Sequence, residues 1–146
     1  MKLFPFAAIG SAALVGLVGL STIGYTAHAV VEVKECQTAY DEFKVDYTEY
    51  DTTANTMLGH INGYKQNPWS VIANFAQIVT TRNEYIRTRD NVLESQNTAY
   101  KVCNSKNVFA DAWIYASGVE TNFNEETVNL NNKLSEVHNS LKGITW

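Results

Sequence analysis

The sequence has little charge, little proline and little glycine. Only 18% of its 146 residues are Asp, Glu, Lys or Arg, and it contains two prolines and eight glycines. So few helix breakers favour a helical protein over a turn-rich β fold. The 15 acidic residues outnumber the 11 basic ones. Because the basic residues do not cluster, the chain lacks the basic surface that nucleic-acid binding needs.

Motifs for catalysis and metal binding are also missing. The three histidines, His28, His60 and His138, stand far apart, and two cysteines cannot form a zinc site by spacing. There is no glycine-rich phosphate loop and no serine nucleophile elbow. The adjacent Glu125 and Glu126 diverge on a helix, so they do not converge as a catalytic pair. We therefore expect no enzyme, no metal and no cofactor.

The longest uncharged stretch lies at the N-terminus, where residues 3–31 contain no Asp, Glu, Lys or Arg. As a helix, residues 6–24 alone span about 30 Å, the thickness of a hydrocarbon core. We therefore predict that residues 1–30 are a transmembrane anchor and that residues 31–146 are an exported domain. The predicted anchor positions are Phe6, Ala12, Gly16, Gly19 and Gly24.

A cleaved signal peptide is the alternative for the same segment. Ala27-His28-Ala29 places small residues before a cut after Ala29. Both interpretations export the rest of the chain. They predict either a protein of the bacterial cell envelope, anchored in the inner membrane with its domain outside the cytoplasm, or a periplasmic or secreted protein.

Three stretches carry apolar residues at alternating spacings of three and four, which is typical of helices in coiled coils. They predict helices over about 32–63, 69–103 and 108–142. Asn62-Gly63 and Asn67-Pro68 interrupt the first pattern and predict a hairpin turn. The fold class that follows is all-α, an elongated antiparallel three-helix bundle. Its predicted core positions are Tyr40, Phe43, Tyr47, Tyr50, Met57, Ile61, Phe75, Arg82, Arg89, Phe123, Leu130 and Leu134.

The two cysteines lie at the same end of this predicted hairpin. Cys36 is near the start of the first helix and Cys103 is at the end of the second. In an exported protein this placement predicts a disulfide, with two buried free thiols as the alternative. The antiparallel register then places Tyr50 near Arg89, Met57 near Arg82 and Phe43 near Gln96.

Two groups on the helices have both a functional and a structural interpretation. The tyrosine-rich stripe of the first helix could line a ligand site, but aromatic residues at this spacing are more often core. Arg82, Arg87 and Arg89 could bind an anion, because guanidinium groups bind carboxylates bidentately. Pairing with nearby acids such as Glu84 and Asp90 is the simpler use.

Several segments of the chain resemble the LemA family of membrane-anchored helical proteins. They are an apolar N-terminal helix ending at Gly24-Tyr25, then Ala39-Tyr40-Asp41-Glu42-Phe43, Met57-Leu58 with Ile61 and Gly63-Tyr64, Thr81-Arg82, Phe123-Asn124-Glu125, and Leu130-Asn131 with Leu134 and Val137. The resemblance implies a helical hairpin bundle fixed to the bacterial envelope by its N-terminus. It brings no catalytic residues and no cofactor.

The expected function is therefore a non-enzymatic, membrane-anchored scaffold or protein-binding domain. The alternative is a cleaved periplasmic or secreted binding or inhibitory module, such as one encoded by a phage or mobile element. The protein partner is not specified by the sequence, and neither is whether the third helix packs within one chain or forms a homo-oligomer. Without residues 1–29 the chain has 10 basic and 15 acidic residues, which predicts poor adhesion of the bundle to anionic lipid.

Overall fold

The computed structural model describes the backbone of residues 23–144 and the side chains of residues 28–144. Helices make up 89% of this part of the chain, which contains no strand. The predicted all-α class is confirmed. The helices are α1 (Ile23–Gln66), α2 (Ser70–Cys103), α3 (Val108–Ala116) and α4 (Val119–Ser140).

The third predicted helix is two helices, α3 and α4, separated at Gly118. Gly118 has a φ of +79°, a conformation that residues with a side chain rarely adopt. Its backbone N–H donates to the carbonyl of Tyr115, and the Ser117 hydroxyl donates to the carbonyl of Ile114. The prediction of one helix over 108–142 was therefore wrong. Gly118 provides the turn between α3 and α4.

The start of α1 lies before the predicted boundary between anchor and domain. The helix begins at Ile23 and continues through the candidate cleavage site at Ala27-His28-Ala29. Gly24 belongs to this helix, whereas the anchor positions Phe6, Ala12, Gly16 and Gly19 lie outside the described residues. Over residues 23–144, no helix is both long and apolar enough to cross a bilayer.

The chain divides into two compact units. The first, which we call the disulfide unit, contains α1 up to Lys44 together with Glu94–Thr127. The second, the hairpin unit, contains Val45–Leu93 and the chain from Val128 onward.

The disulfide unit is built around the bond between Cys36 and Cys103. Their Cα atoms are 4.6 Å apart, and both residues are fully buried. The predicted disulfide is confirmed. Beside it, the ring of Phe123 lies edge-on to Phe43, with ring centroids 5.0 Å apart, and edge-on to Tyr40 at 6.3 Å. Such perpendicular contacts are favourable between aromatic rings, and they attach the start of α4 to α1.

A carboxyl group lies beside this aromatic cluster. Burial raises the pKa of Tyr40 to about 12, and the nearby charge of Glu126 and a hydrogen bond to it add to the effect. Burial also raises the pKa of Glu126, although the bond from Tyr40 and the charge of Lys44 oppose it. Within the described part of the chain, Glu126 Oε2 has no hydrogen-bond partner. The fold therefore holds this carboxylate in an environment that disfavours its charge.

In the hairpin unit, α1 and α2 run antiparallel. The Arg87 guanidinium lies 2.6 Å from Glu49 Oε1, and the His60 ring nitrogen Nε2 lies 3.2 Å from the Thr81 hydroxyl. As residue numbers rise along α1, the numbers of their partners on α2 therefore fall. The Lys133 ammonium of α4 donates to Asn55 Oδ1 at 2.9 Å. This contact joins α4 to the hairpin.

The buried face of α2 differs from the predicted one by a single residue. Thr81, Tyr85, Thr88 and Val92 are buried, each one position before the apolar stripe inferred from the sequence. Hydrogen bonds explain the change. The hydroxyls of Thr81 and Tyr85 face His60 and Tyr50, and the Thr88 hydroxyl donates to carbonyls of its own helix, so these polar groups are satisfied when buried.

The predicted core positions of α2 are accordingly not its core. Phe75 is 63% exposed, and Arg82 and Arg89 are half-buried. On the other helices, the predicted positions are mostly buried. Those with little exposure are Tyr40, Phe43, Tyr50, Met57, Ile61, Phe123 and Leu130, whereas Tyr47 and Leu134 are half-buried.

The position of Glu126 predicts a specific pH dependence of stability. Because its pKa is raised in the folded state, the folded chain binds more protons than the unfolded chain just above the ordinary pKa of 4.5. Wild-type stability is therefore lost as pH rises through the folded pKa. Glu126→Gln does not lose stability in this way. The difference in free energy of unfolding between Glu126→Gln and wild type should therefore shift in favour of the variant between about pH 4 and pH 7.

Urea titrations at a series of pH values measure this difference. Glu94→Gln is the control, because Glu94 is exposed in the same unit. If Glu126→Gln and Glu94→Gln show the same pH dependence of stability relative to wild type, the fold does not disfavour the charge of Glu126.

Candidate binding groove

The turn between α1 and α2 is held by Asn67. Its backbone N–H donates to the Gly63 carbonyl, its own carbonyl accepts from Ser70, and its side-chain Oδ1 accepts from the backbone N–H of Trp69. Pro68 follows within this turn, where its missing N–H leaves no helical hydrogen bond unmade. Trp69 is consequently presented at the chain reversal with 78% of its surface exposed.

The first turn of α2 is irregular at Asn74. This residue has φ of −117° and ψ of 18°, outside the helical range, and its side-chain amide donates to the carbonyl of Ser70. Asparagine side chains compete with the backbone for such carbonyls. The segment before Asn74 therefore has a different course from the rest of α2.

A groove of about 430 Å³ lies within the hairpin unit. Its walls come from the end of α1, the first half of α2 and the chain after α4, and they are mostly apolar. The lining residues are Met57, His60, Ile61, Tyr64, Val71, Phe75, Ile78, Val79, Arg82, Leu141, Gly143 and Ile144. Its size and apolar walls are typical of small-ligand or side-chain pockets.

Large apolar side chains extend from the groove to the turn. We call the exposed set Tyr64, Trp69, Ile72, Phe75 and Val79 the apolar tip. Ile72 precedes the irregularity at Asn74 and Phe75 and Val79 follow it, and they are 72%, 63% and 38% exposed. Several large exposed apolar side chains within one short stretch are typical of an interaction site, whereas a single exposed residue is not.

Two polar side chains of the groove have defined positions. His60 Nε2 lies 3.2 Å from the hydroxyl of the buried Thr81. Arg82 is half-buried and, like Met57, lines the groove, so these two side chains share one surface as the predicted register requires. The groove therefore combines apolar walls with a guanidinium group.

The charge around the apolar tip is opposite in sign to that of the whole chain. No Asp or Glu occurs from residue 52 to residue 83, or after Glu136, although the sequence contains 15 acids. Lys65, Arg82 and Lys142 lie in these two stretches. No ion pair joins Lys65 or Lys142 to an acid within residues 28–144. This end of the hairpin unit is therefore cationic.

The arginines that suggested an anion site do not act as a group. Arg87 pairs with Glu49, and Arg89 pairs with Asp90 at 3.0 Å, whereas Arg82 lines the groove. The charge of Arg89 nevertheless acts on Tyr50, where it lowers a pKa that burial and the hydroxyl of Tyr85 raise. In the part of the chain that the structure describes, no group of three or more His, Cys, Asp or Glu side chains is arranged to hold a metal ion.

The predicted neighbours Phe43 and Gln96 lie outside the groove, in the disulfide unit. In the disulfide unit, Phe43 packs on Phe123, and Gln96 donates to the Thr127 hydroxyl at 3.4 Å. In the hairpin unit, the asparagines that flank Leu130 on α4 are exposed, whereas Leu130 itself is buried.

The apolar tip was not recognised from the sequence. Phe75 was assigned to the core because its spacing from Ile72 and Val79 is that of a buried stripe. The signal available in the sequence was the long stretch without Asp or Glu. Burial of one helix face does not require acids to be absent from the other, solvent-facing side, so their absence there indicates something else.

Comparisons with known proteins found no matching family model, no similar curated protein and no similar solved structure.

The groove predicts unequal effects of two alanine substitutions. Met57 is 4% exposed, so Met57→Ala should lower the free energy of unfolding by roughly 2–5 kcal/mol through lost burial and a cavity. Phe75 is mostly exposed, so Phe75→Ala should cost less than about 0.5 kcal/mol, as surface substitutions do. Urea unfolding followed by circular dichroism measures both. Equal, large losses would contradict the exposed placement of Phe75 and restore it to the core.

Proposed function

We propose that this chain is a non-enzymatic protein of the bacterial cell envelope, tethered to the inner membrane by its N-terminal apolar segment. In this proposal the exported helical domain is a scaffold or binding domain, and the apolar tip with its groove is the binding surface. The observation that carries the proposal is the exposure of Trp69, Ile72 and Phe75 beside the groove. Leaving this surface in water costs free energy that a bound partner would recover.

The buried disulfide supports export of the domain. Disulfides form and persist outside the reducing cytoplasm, and Cys36 and Cys103 are joined and fully buried. The resemblance to the LemA family, which is itself part of this proposal, implies the same location.

The environment of Ala29 favours a tether over a cleaved signal. Ala29 is 2% exposed, and His28 lies 2.9 Å from Glu32 across one turn of α1. A chain that begins at Val30 would lose both contributions. The alternative function, a periplasmic or secreted helical binding or inhibitory module from a phage or mobile element, requires that loss.

Intact mass of the protein from separated membrane and soluble envelope fractions tests the tether. We expect the full-length chain in the membrane fraction, because residues 6–24 are apolar and long enough to cross a bilayer. A soluble species beginning at Val30 would contradict the tether and support the alternative.

Ala27→Leu provides the matched control. A large residue two positions before Ala29 blocks the small-residue pattern that signal peptidase requires. The tether predicts the full-length chain in the membrane fraction for both proteins, with masses that differ only by the exchange of alanine for leucine. If wild type is soluble and the variant moves to the membrane, the segment is a cleaved signal.

A further inference from the structure

The apolar tip combines two properties that occur together on surfaces that contact membranes. Its side chains are apolar or amphipathic, with Trp69 and Tyr64 among them, and its charged neighbours are basic. Tryptophan and tyrosine favour the boundary between lipid tails and headgroups because their rings are apolar at one end and polar at the other. Basic side chains nearby are attracted to anionic headgroups.

We propose that the apolar tip docks on an anionic lipid surface, with Trp69, Ile72 and Phe75 entering the headgroup boundary and Lys65 and Lys142 near the lipid phosphates. The inference rests on the proposed function, because it names the partner of the same binding surface. It also revises the expectation that the negative bundle avoids anionic lipid.

The distribution of charge is what selects this partner. From residue 52 to residue 83 no acid is present to repel an anionic surface, although the chain as a whole has a net charge of −4. The Debye length at physiological salt is about 8 Å, so the charges nearest the contact matter more than the distant acids. The net charge of the whole chain therefore has the opposite sign to the charge at this end of the hairpin unit.

The same charge distribution disfavours a second copy of the chain as the occupant. Two apolar tips face to face would bring Lys65 and Lys142 of each copy together, and like charges at an interface are unfavourable. An acidic protein surface would match the charge. However, Trp69 in the turn is followed by Ile72 and Phe75 in the first two turns of α2, and such a short exposed apolar segment fits shallow entry into lipid.

Tryptophan quenching by brominated lipid tests the proposal on the full-length protein. A variant with Trp113 and Trp146 replaced by phenylalanine reports on Trp69 alone. Vesicles contain brominated acyl chains in either phosphatidylcholine alone or an equimolar mixture with phosphatidylglycerol. Because the N-terminal segment can itself bind vesicles, the readout is the quenching of Trp69 and not the binding of the protein.

We expect quenching of Trp69 that is strong with the anionic mixture, weak with phosphatidylcholine and reduced by added salt. The matched reporter is a variant that retains only Trp113, which is 51% exposed in the disulfide unit. Trp113 should remain unquenched in both kinds of vesicle. Absence of Trp69 quenching with the anionic mixture would overturn the proposal.

Removal of the lysines tests the role of charge. Lys65→Gln with Lys142→Gln should lower the ratio of docked to free tip about 25-fold, since each lysine near an anionic surface contributes roughly a fivefold factor. Lys101→Gln with Lys106→Gln changes the net charge equally at exposed positions of the disulfide unit and should have little effect. Quenching that is equal in both lipids and insensitive to Lys65 and Lys142 would overturn recognition of anionic lipid.

A photo-crosslinking residue at Ile72 in living cells separates this inference from the proposed function. Adducts with lipid support both the docking on lipid and the binding function of the apolar tip. Discrete protein adducts, together with no lipid quenching of Trp69, overturn the lipid surface but leave a binding function for the apolar tip. Absence of any adduct and of quenching contradicts both.

Discussion

The bond between Cys36 and Cys103 is the constraint on which the account depends. It joins residues separated by 67 positions, and closing a loop of this length stabilises a fold by about 4 kcal/mol in the chain-entropy model. Such a contribution is a large share of the stability of a domain of this size. Disulfides persist outside the reducing cytoplasm, so the same bond also supports the proposed export of the domain.

Around the bond, polar and aromatic contacts complete the disulfide unit. Ser105 donates a hydrogen bond to Glu32, which connects the loop after α2 to the first part of α1. Asn107 caps α3 by accepting from the backbone N–H groups of Phe109 and Ala110. In the hairpin unit, α1 and α2 are joined by other contacts, the ion pair between Glu49 and Arg87 and the tilted ring contact between Tyr50 and Tyr85.

The sequence was sufficient for the helical class, the hairpin turn and the disulfide, because each depends on strong local signals. Pro68 and Asn67 interrupt a helical pattern, and two cysteines can form only one bond. It was insufficient for the buried face of α2. Thr81 and Thr88 count as polar in an apolar pattern, and their burial depends on hydrogen bonds that only the folded chain provides. The break at Gly118 was missed because a glycine in a helical pattern is often tolerated.

The candidate site was missed for a related reason. An apolar stripe on a helix has the same spacing whether it faces a core or a partner, so the spacing predicts an interior position for Phe75. The charges of the neighbouring residues distinguish the two cases. At this end of the hairpin unit, apolar and basic residues occur without acids, and the proposed contact with an anionic surface rests on this combination.

The redox state of Cys36 and Cys103 in cells is the decisive measurement. Protein from intact cells would be denatured and treated with an alkylating reagent with and without reductant, and its mass would be measured. We expect no added mass without reductant and two added groups after reduction. Two groups added without reductant would show free thiols at Cys36 and Cys103, and would contradict both the disulfide-stabilised fold and the export of the domain.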